Sequence, residues 1–135
     1  MDVLITPEAR REIEAFYVFR PEPGTWGALV GHRRGPRFIV EKAVAAGGPG
    51  TAPDARLLAG LDGIWPGRTL GLFAFRPGAA FRKAVLGPAW YGKLVLSMTG
   101  SAKAPDLRPF AVEFERRFLL VPVPFAPAAK EKARE

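Results

Sequence analysis

The chain has no cysteine, no asparagine and no glutamine, and only one histidine and two serines. Each absence removes a chemistry. Without cysteine there are no disulfides, no thiolate metal sites and no cysteine nucleophile. Zinc sites gather three or four Cys, His and carboxylate ligands. Here His32 and a set of dispersed acids are all that is available. The close acid pairs, Glu12 with Glu14 and Glu113 with Glu115, read as exposed-face residues rather than hard-ion ligands. A Ser-His-acid arrangement has to draw on His32 with Ser97, and no spacing selects that pairing. His32, beside Arg33 and Arg34, reads as an exposed structural residue at a strand end. The lack of thermolabile amides is one habit of heat-adapted proteins; GC-rich coding is the other reading. No apolar run approaches the roughly 20 residues that span a bilayer. The N-terminal "MDVLITPEARREIEAF" lacks the basic start and long apolar centre of a signal peptide. The expectation is a cytoplasmic protein with no membrane partner.

What is present suits one domain with one core: 135 residues, 48% of them apolar. The net charge is +7, with 14 arginines against 6 lysines. The densest basic groups are Arg33-Arg34-Arg37, Arg82-Lys83 and Arg116-Arg117, and none is a continuous basic block. A solvated basic surface is the plain reading. A nucleic-acid-binding module is the alternative, and it requires the Arg33–Arg37 turn, Arg82, Lys83 and Lys93 to converge with aromatics between them.

Along the chain, residues 6–18 read as a helix. Thr6 caps it, Pro7 suits the first turn, Glu8 meets the positive end of the dipole, and Ala9, Ile13, Phe16 and Tyr17 form an apolar face. "RPEPG" breaks the chain. Residues 25–32 and 37–45 read as strands of a hairpin joined by "RRGPR". The loop at 45–53 is glycine-rich but lacks the Lys-Ser/Thr ending of a phosphate-binding loop. A helix capped by Asp54 is predicted over 54–65, interrupted near Gly60 or Gly63. A strand follows at 68–75, a helix at 79–87 and a strand at 90–100. A loop then covers 101–109, and one or two strands lie within 110–123, with Glu113 and Glu115 on one face. Pro122, Pro124 and Pro127 disfavour a central strand. The domain is therefore expected over 1–121, with a flexible tail at 122–135. This order predicts an α+β layer fold with a mixed, mostly antiparallel sheet flanked by helices.

Glu22, in "RPEPGTWG", sits in a loop just before a strand, where function often resides; a solvated turn residue is its bland alternative. Trp26 and Trp90 read as core anchors, or as partner-binding residues if they lie at a sheet edge.

The element order, with "WGALVG" and "LGLFAFRP", resembles the MPN domain, also called JAB or JAMM, over about residues 5–121. In that family a Gly-x-Leu-x-Gly strand, matched by residues 27–31, follows a helix, and a catalytic glutamate lies shortly upstream. A later strand carries Gly-x-x-His-x-His-Pro, followed by a serine and an aspartate. The two histidines and the aspartate bind zinc. On this chain Gly71 and Pro77 match the ends of the histidine motif. The histidine positions fall on Ala74 and Arg76, the serine position on Ala84 and the aspartate position on Gly87. Glu22 lies two residues too early for a gapless match to the glutamate. The resemblance implies the layered MPN/JAB and cytidine-deaminase-like fold with no zinc cofactor, because every metal ligand is replaced. Ala74 has no donor atom, and Arg76 is a permanent cation that repels a dication. Without the metal no bound water reaches a pKa near neutrality. The resemblance thus implies a catalytically silent scaffold that binds a protein, either a ubiquitin-like partner or a second copy of itself. Arg76 would hold a carboxylate in a vestigial groove shared with the turn at Pro77-Gly78. An enzyme of unrecognised type is the remaining alternative.

Overall fold

A computed structural model describes residues 1–19 and 21–127. Strands β1 (Asp2–Ile5), β2 (Trp26–Arg34), β3 (Arg37–Gly47), β4 (Thr69–Phe75), β5 (Leu94–Gly100), β6 (Pro105–Glu115) and β7 (Arg117–Pro122) form one sheet. Its order is β1-β3-β2-β4-β5-β6-β7. The β1–β3 and β4–β5 pairs are parallel and the other four are antiparallel. The fold is α+β with a mixed, mostly antiparallel sheet, as the element order predicts. Helices α1 (Pro7–Val18), α2 (Ala55–Ile64) and α3 (Ala79–Val85) flank it. No helix among the described residues is long and apolar enough to cross a membrane.

Helix α1 forms where its signals place it. The Thr6 hydroxyl accepts from the Ala9 N–H at 3.2 Å. Ala9, Ile13 and Tyr17 point into the core on one side of the sheet, beside Phe73 and Phe75. The Phe16 ring meets Phe73 edge-on at 5.3 Å, and Tyr17 meets Phe75 at 5.7 Å. Glu12, expected to be an exposed-face residue, fastens the helix to β3: its carboxylate accepts from the Ala43 N–H at 3.0 Å. On the other side, α3 lays Phe81 and Val85 over Leu72, Ala74, Val95 and Val112, with Trp26 and Trp90 completing that cluster. All seven residues of β4 are buried between the two layers.

Three glycines let the central strands approach closely. A Cβ on Gly71 would be driven into the Leu94 carbonyl, one on Gly27 into the Val44 carbonyl, and one on Gly31 into the Ile39 carbonyl. Near Gly31 and Gly71 the ladders also slip register, between Val30 and Gly31 against β3 and between Leu29 and Val30 against β4. The second slip leaves Leu70 as an extra residue, and a bulge of this kind re-aims a side chain. Leu70 packs on the α1 side, whereas Leu72 and Ala74 pack on the α3 side.

Several boundaries differ from expectation. Strand β1 is too short to show a repeat in the sequence. It forms because β3 offers it a parallel edge and because Val3 and Ile5 are buried. Helix α2 runs unbroken through Gly60 and Gly63. Residues 88–90 make a turn of 3-10 helix ahead of β5. Strand β6 starts at Pro105, inside the expected loop. Pro109 is tolerated there because, among the described residues, the bond it shares with the chain beyond β7 runs from the Val123 N–H to its own carbonyl, at 3.0 Å, and asks for no N–H of its own.

The expected tail divides. Beyond β7 the chain crosses from β6 to β1. The Val3 N–H donates to the Pro124 carbonyl at 3.0 Å, and the Ala126 N–H donates to the Val3 carbonyl at 2.8 Å. Phe125 bridges Val3 in parallel, and Val123 and Ala126 are buried. Residues 123–126 are therefore part of the domain and join the two ends of the curled sheet. The rest of the expected tail, 128–135, lies outside the described residues.

Substituting Gly71 tests the tightest of these approaches. Gly71→Ala has to part β4 from β5, and overpacking of this kind costs about 3 kcal/mol. Urea denaturation should show the loss as a lower midpoint with an unchanged slope.

Candidate functional site

The C-terminal end of β4 is where the resemblance places a metal centre. Ala74 is fully buried beneath α3 and stands opposite Trp26 in the β2–β4 ladder. Ala84 and Gly87 are half-buried at and just beyond the end of α3. None of these residues carries a donor atom. Among the described residues no cluster of three or more His, Asp or Glu is placed to hold a metal ion.

Arg76 and Pro77, expected to share one groove, are parted. Arg76 has φ = 47°. For a non-glycine residue this left-handed conformation costs about 1–3 kcal/mol and persists only where its surroundings impose it. The constraint here is a set of backbone bonds. The Arg76 N–H donates to the Met98 carbonyl at 2.8 Å, the Phe75 N–H to Thr25 at 2.8 Å, and the Gly24 N–H to the Phe75 carbonyl at 2.7 Å. The guanidinium lies over the Phe75 ring at 5.3 Å. Arg76 therefore faces the α1 side of the sheet, while Pro77 faces the α3 side.

Two clefts result. On the α1 side, a cleft of about 540 Å³ is lined by Tyr17, Pro21, Pro23, Phe75, Arg76 and Lys103, among others. Arg76 is exposed and forms no ion pair with a described residue. The Tyr17 hydroxyl donates to the Thr99 carbonyl at 2.5 Å. Burial, more than the nearby Asp106 charge, pushes its pKa up, so it stays a neutral donor at physiological pH. On the α3 side, a groove of about 550 Å³ is lined by Pro77, Phe81, Arg82, Ser97, Thr99 and Arg108, among others. Arg108 is engaged there by Asp106 at 3.2 Å.

The other candidates separate. Glu22 is exposed, and its backbone carbonyl, not its carboxylate, closes the turn by accepting from the Thr25 N–H and hydroxyl. Trp26 and Trp90 are 4% and 2% exposed. Their expected role on a partner surface therefore fails: both rings are spent on the core. The Trp26 indole N–H donates to Thr51 Oγ1 at 3.0 Å, tying down the glycine-rich loop. His32 is half-buried, and its Nδ1 lies 2.8 Å from Glu41 Oε1. It does not join Ser97, which lines the α3-side groove.

The basic groups do not converge either. Arg33 stacks over Phe38 at 4.4 Å, and Arg37 makes a paired bond to Asp2. Lys93 donates to the Thr69 carbonyl. Arg82 is on α3, beside Thr99 at the far end of the sheet from the β2–β3 turn.

No family model matches the chain, and no relative among curated proteins matches it. Among solved structures, it is similar to protein DSY2949 from Desulfitobacterium hafniense, with a TM-score of 0.63 and 17% identity over 92% of each chain. It is also similar to a protein from Salinibacter ruber, with a TM-score of 0.55 and 16% identity over 93% of this chain and 92% of that one. These likenesses show the fold alone.

The cluster of Glu41, His32 and Arg68 gives a test of the electrostatics. The His32 hydrogen bond, followed by the charge of Arg68 at 2.8 Å, holds the Glu41 carboxyl below its ordinary value of 4.5. A depressed carboxylate contributes stability that is present above the unfolded pKa and lost as pH falls through the folded one. Thermal melts should show wild-type stability declining as the pH drops below 4.5. Glu41→Gln should be less stable at neutral pH and show a shallower decline over that acid range.

Proposed function

We propose that this protein is a catalytically silent, MPN/JAB-like interaction module that holds a carboxylate of a protein partner at Arg76. The observation that carries the reading is Arg76 itself. It is an exposed guanidinium in a strained backbone conformation, without a carboxylate partner among the described residues, at the mouth of a cleft that also holds Lys103. A guanidinium recognises a carboxylate through two parallel hydrogen bonds, and Lys103 adds a second positive charge. The apolar wall of Phe75, Pro21 and Pro23 suits an extended peptide leading to that carboxylate. A chain terminus is the simplest source, and the resemblance to MPN domains favours a ubiquitin-like partner.

Silence as a hydrolase rests on the donors. At the positions where the resemblance expects two histidines, a serine and an aspartate stand Ala74, Arg76, Ala84 and Gly87. Ala74 is enclosed by α3 and Trp26, and Arg76 faces the opposite layer, so those positions offer no shared pocket to a dication. Metal analysis of the purified protein should find zinc well below one per chain. Stoichiometric zinc would overturn this part of the reading.

Arrays of peptides with free and amidated C-termini test the binding role. Binding is expected for the free carboxylates only. A charge-assisted hydrogen bond is worth about 1.5–3 kcal/mol, so Arg76→Ala should weaken binding about 10- to 100-fold, with Arg76→Lys in between. Equal binding of amidated peptides, or an unchanged affinity in Arg76→Ala, would remove the proposal.

A further inference from the structure

We infer that β7 is the surface through which two copies of the chain pair, edge to edge and antiparallel, about a two-fold axis at Leu119. Among the described residues β7 pairs only with β6, so its other edge is open. Open edges in natural proteins are usually blunted by charge, proline or a bulge. Residues 118–121 read Phe-Leu-Leu-Val with none of these devices until Pro122. Val121 is 36% exposed, and Phe114, opposite Phe118 in β6, is 56% exposed. The Phe114 and Phe118 rings meet edge-on at 4.9 Å, so an aromatic patch continues from the open edge onto the sheet face.

The ladder determines which backbone groups point outward. The Val123 N–H bonds to the Pro109 carbonyl. Antiparallel pairs alternate between bonded and non-bonded, so Leu119 and Val121 also turn their polar groups toward β6. Phe118 and Leu120 turn theirs outward. In a continuous two-fold sheet, residues on one face have to meet residues on the same face. A centre at Leu119 satisfies this. Phe118 then lies opposite Leu120 of the second copy, twice over, and each such pair exchanges the free N–H and C=O groups.

Charge selects a second copy over an acidic partner. Although the chain carries +7, Arg117 is the one charged residue of β7, and it stands opposite Glu115 in register. The edge is nearly neutral and calls for an apolar, neutral strand, which β7 itself supplies. In the paired register Arg117 faces Val121 of the second copy. The two Arg117 residues are then four positions apart, about 13 Å at the rise of a strand, beyond the Debye length of about 8 Å at physiological salt.

The chain has no cysteine, so a single engineered one reports the pairing without background. Across the new interface Leu119 is a non-bonded pair, whose Cα separation of about 4.5 Å lies within the range a disulfide spans. Leu119→Cys should therefore form a disulfide dimer of twice 14.7 kDa under mild oxidation at micromolar concentration. Ile64→Cys, exposed on α2, should not. Light scattering should report a dimer for the wild type. It should report folded monomers for Leu120→Pro, which removes an outward N–H, and for Phe118→Lys, which leaves the backbone intact. The inference is overturned by a monomeric wild type, by Leu119→Cys cross-linking no faster than Ile64→Cys, or by a dimer that survives both edge substitutions with native circular dichroism. No residue of β7 lines the Arg76 cleft, so peptide binding there stands or falls separately.

Discussion

Strand β4 is buried along its whole length, and the two layers around it exist because both of its faces have to be covered. Phe73 and Phe75 demand α1; Leu72 and Ala74 demand α3. The strand can sit this deep only because Gly71 lets its backbone come against Leu94 and Gly27 lets β2 come against Phe73 and Val44. Burial and close backbone approach are thus one constraint. The glycines remove the side chains that would hold the strands apart, and the phenylalanines fill the space that this frees above and below. Dense packing of this kind makes the position of the β4 C-terminus stiff, which is what a strained residue such as Arg76 requires of its surroundings.

At that terminus the sheet divides its chemistry between faces. Strand alternation, continued past Phe75, would place Arg76 on the same side as Ala74. The left-handed turn of its backbone sends it to the other. The α3-side groove receives Arg82 beside an Arg108 already held by Asp106, whereas the α1-side cleft receives Arg76 together with Lys103, and among the described residues no carboxylate pairs with Arg76. The functional reading follows the cation.

Much of this was legible in the chain. The helix at 6–18 carries its own cap and its own apolar stripe, and the two strands that follow are joined by a turn with glycine in its first central position. Local signals sufficed for both. The layered arrangement followed from the order of elements. What was not legible depends on distant partners. Strand β1 is four residues long and exists because β3 offers an edge; the start of β6 is proline-punctuated and exists because β5 does. The direction of Arg76 rests on three backbone bonds to segments remote in sequence, and no periodicity encodes the sign of a φ angle. The tryptophans were ambiguous because the same ring suits a core or an interface, and only burial decides. The joining of residues 123–126 to β1 had no local signal, since the prolines there argue correctly against a central strand and say nothing about a strap across an edge.

That strap sets the order of events in folding. Val3 belongs to the first strand of the domain, yet two of the hydrogen bonds that hold it are shared with Pro124 and Ala126, about 120 residues further along. The α1 layer can collapse onto β2 and β3 early, because those contacts are close in sequence. The seam between β1 and residues 123–126 has to wait until that later segment of the domain exists, and contacts of such separation close slowly. During that interval β1 presents an unpaired backbone edge where residues 123–126 later bond to Val3. A nascent chain in that state is vulnerable to pairing with the wrong strand, and residues 123–126 act as the latch that ends the exposure.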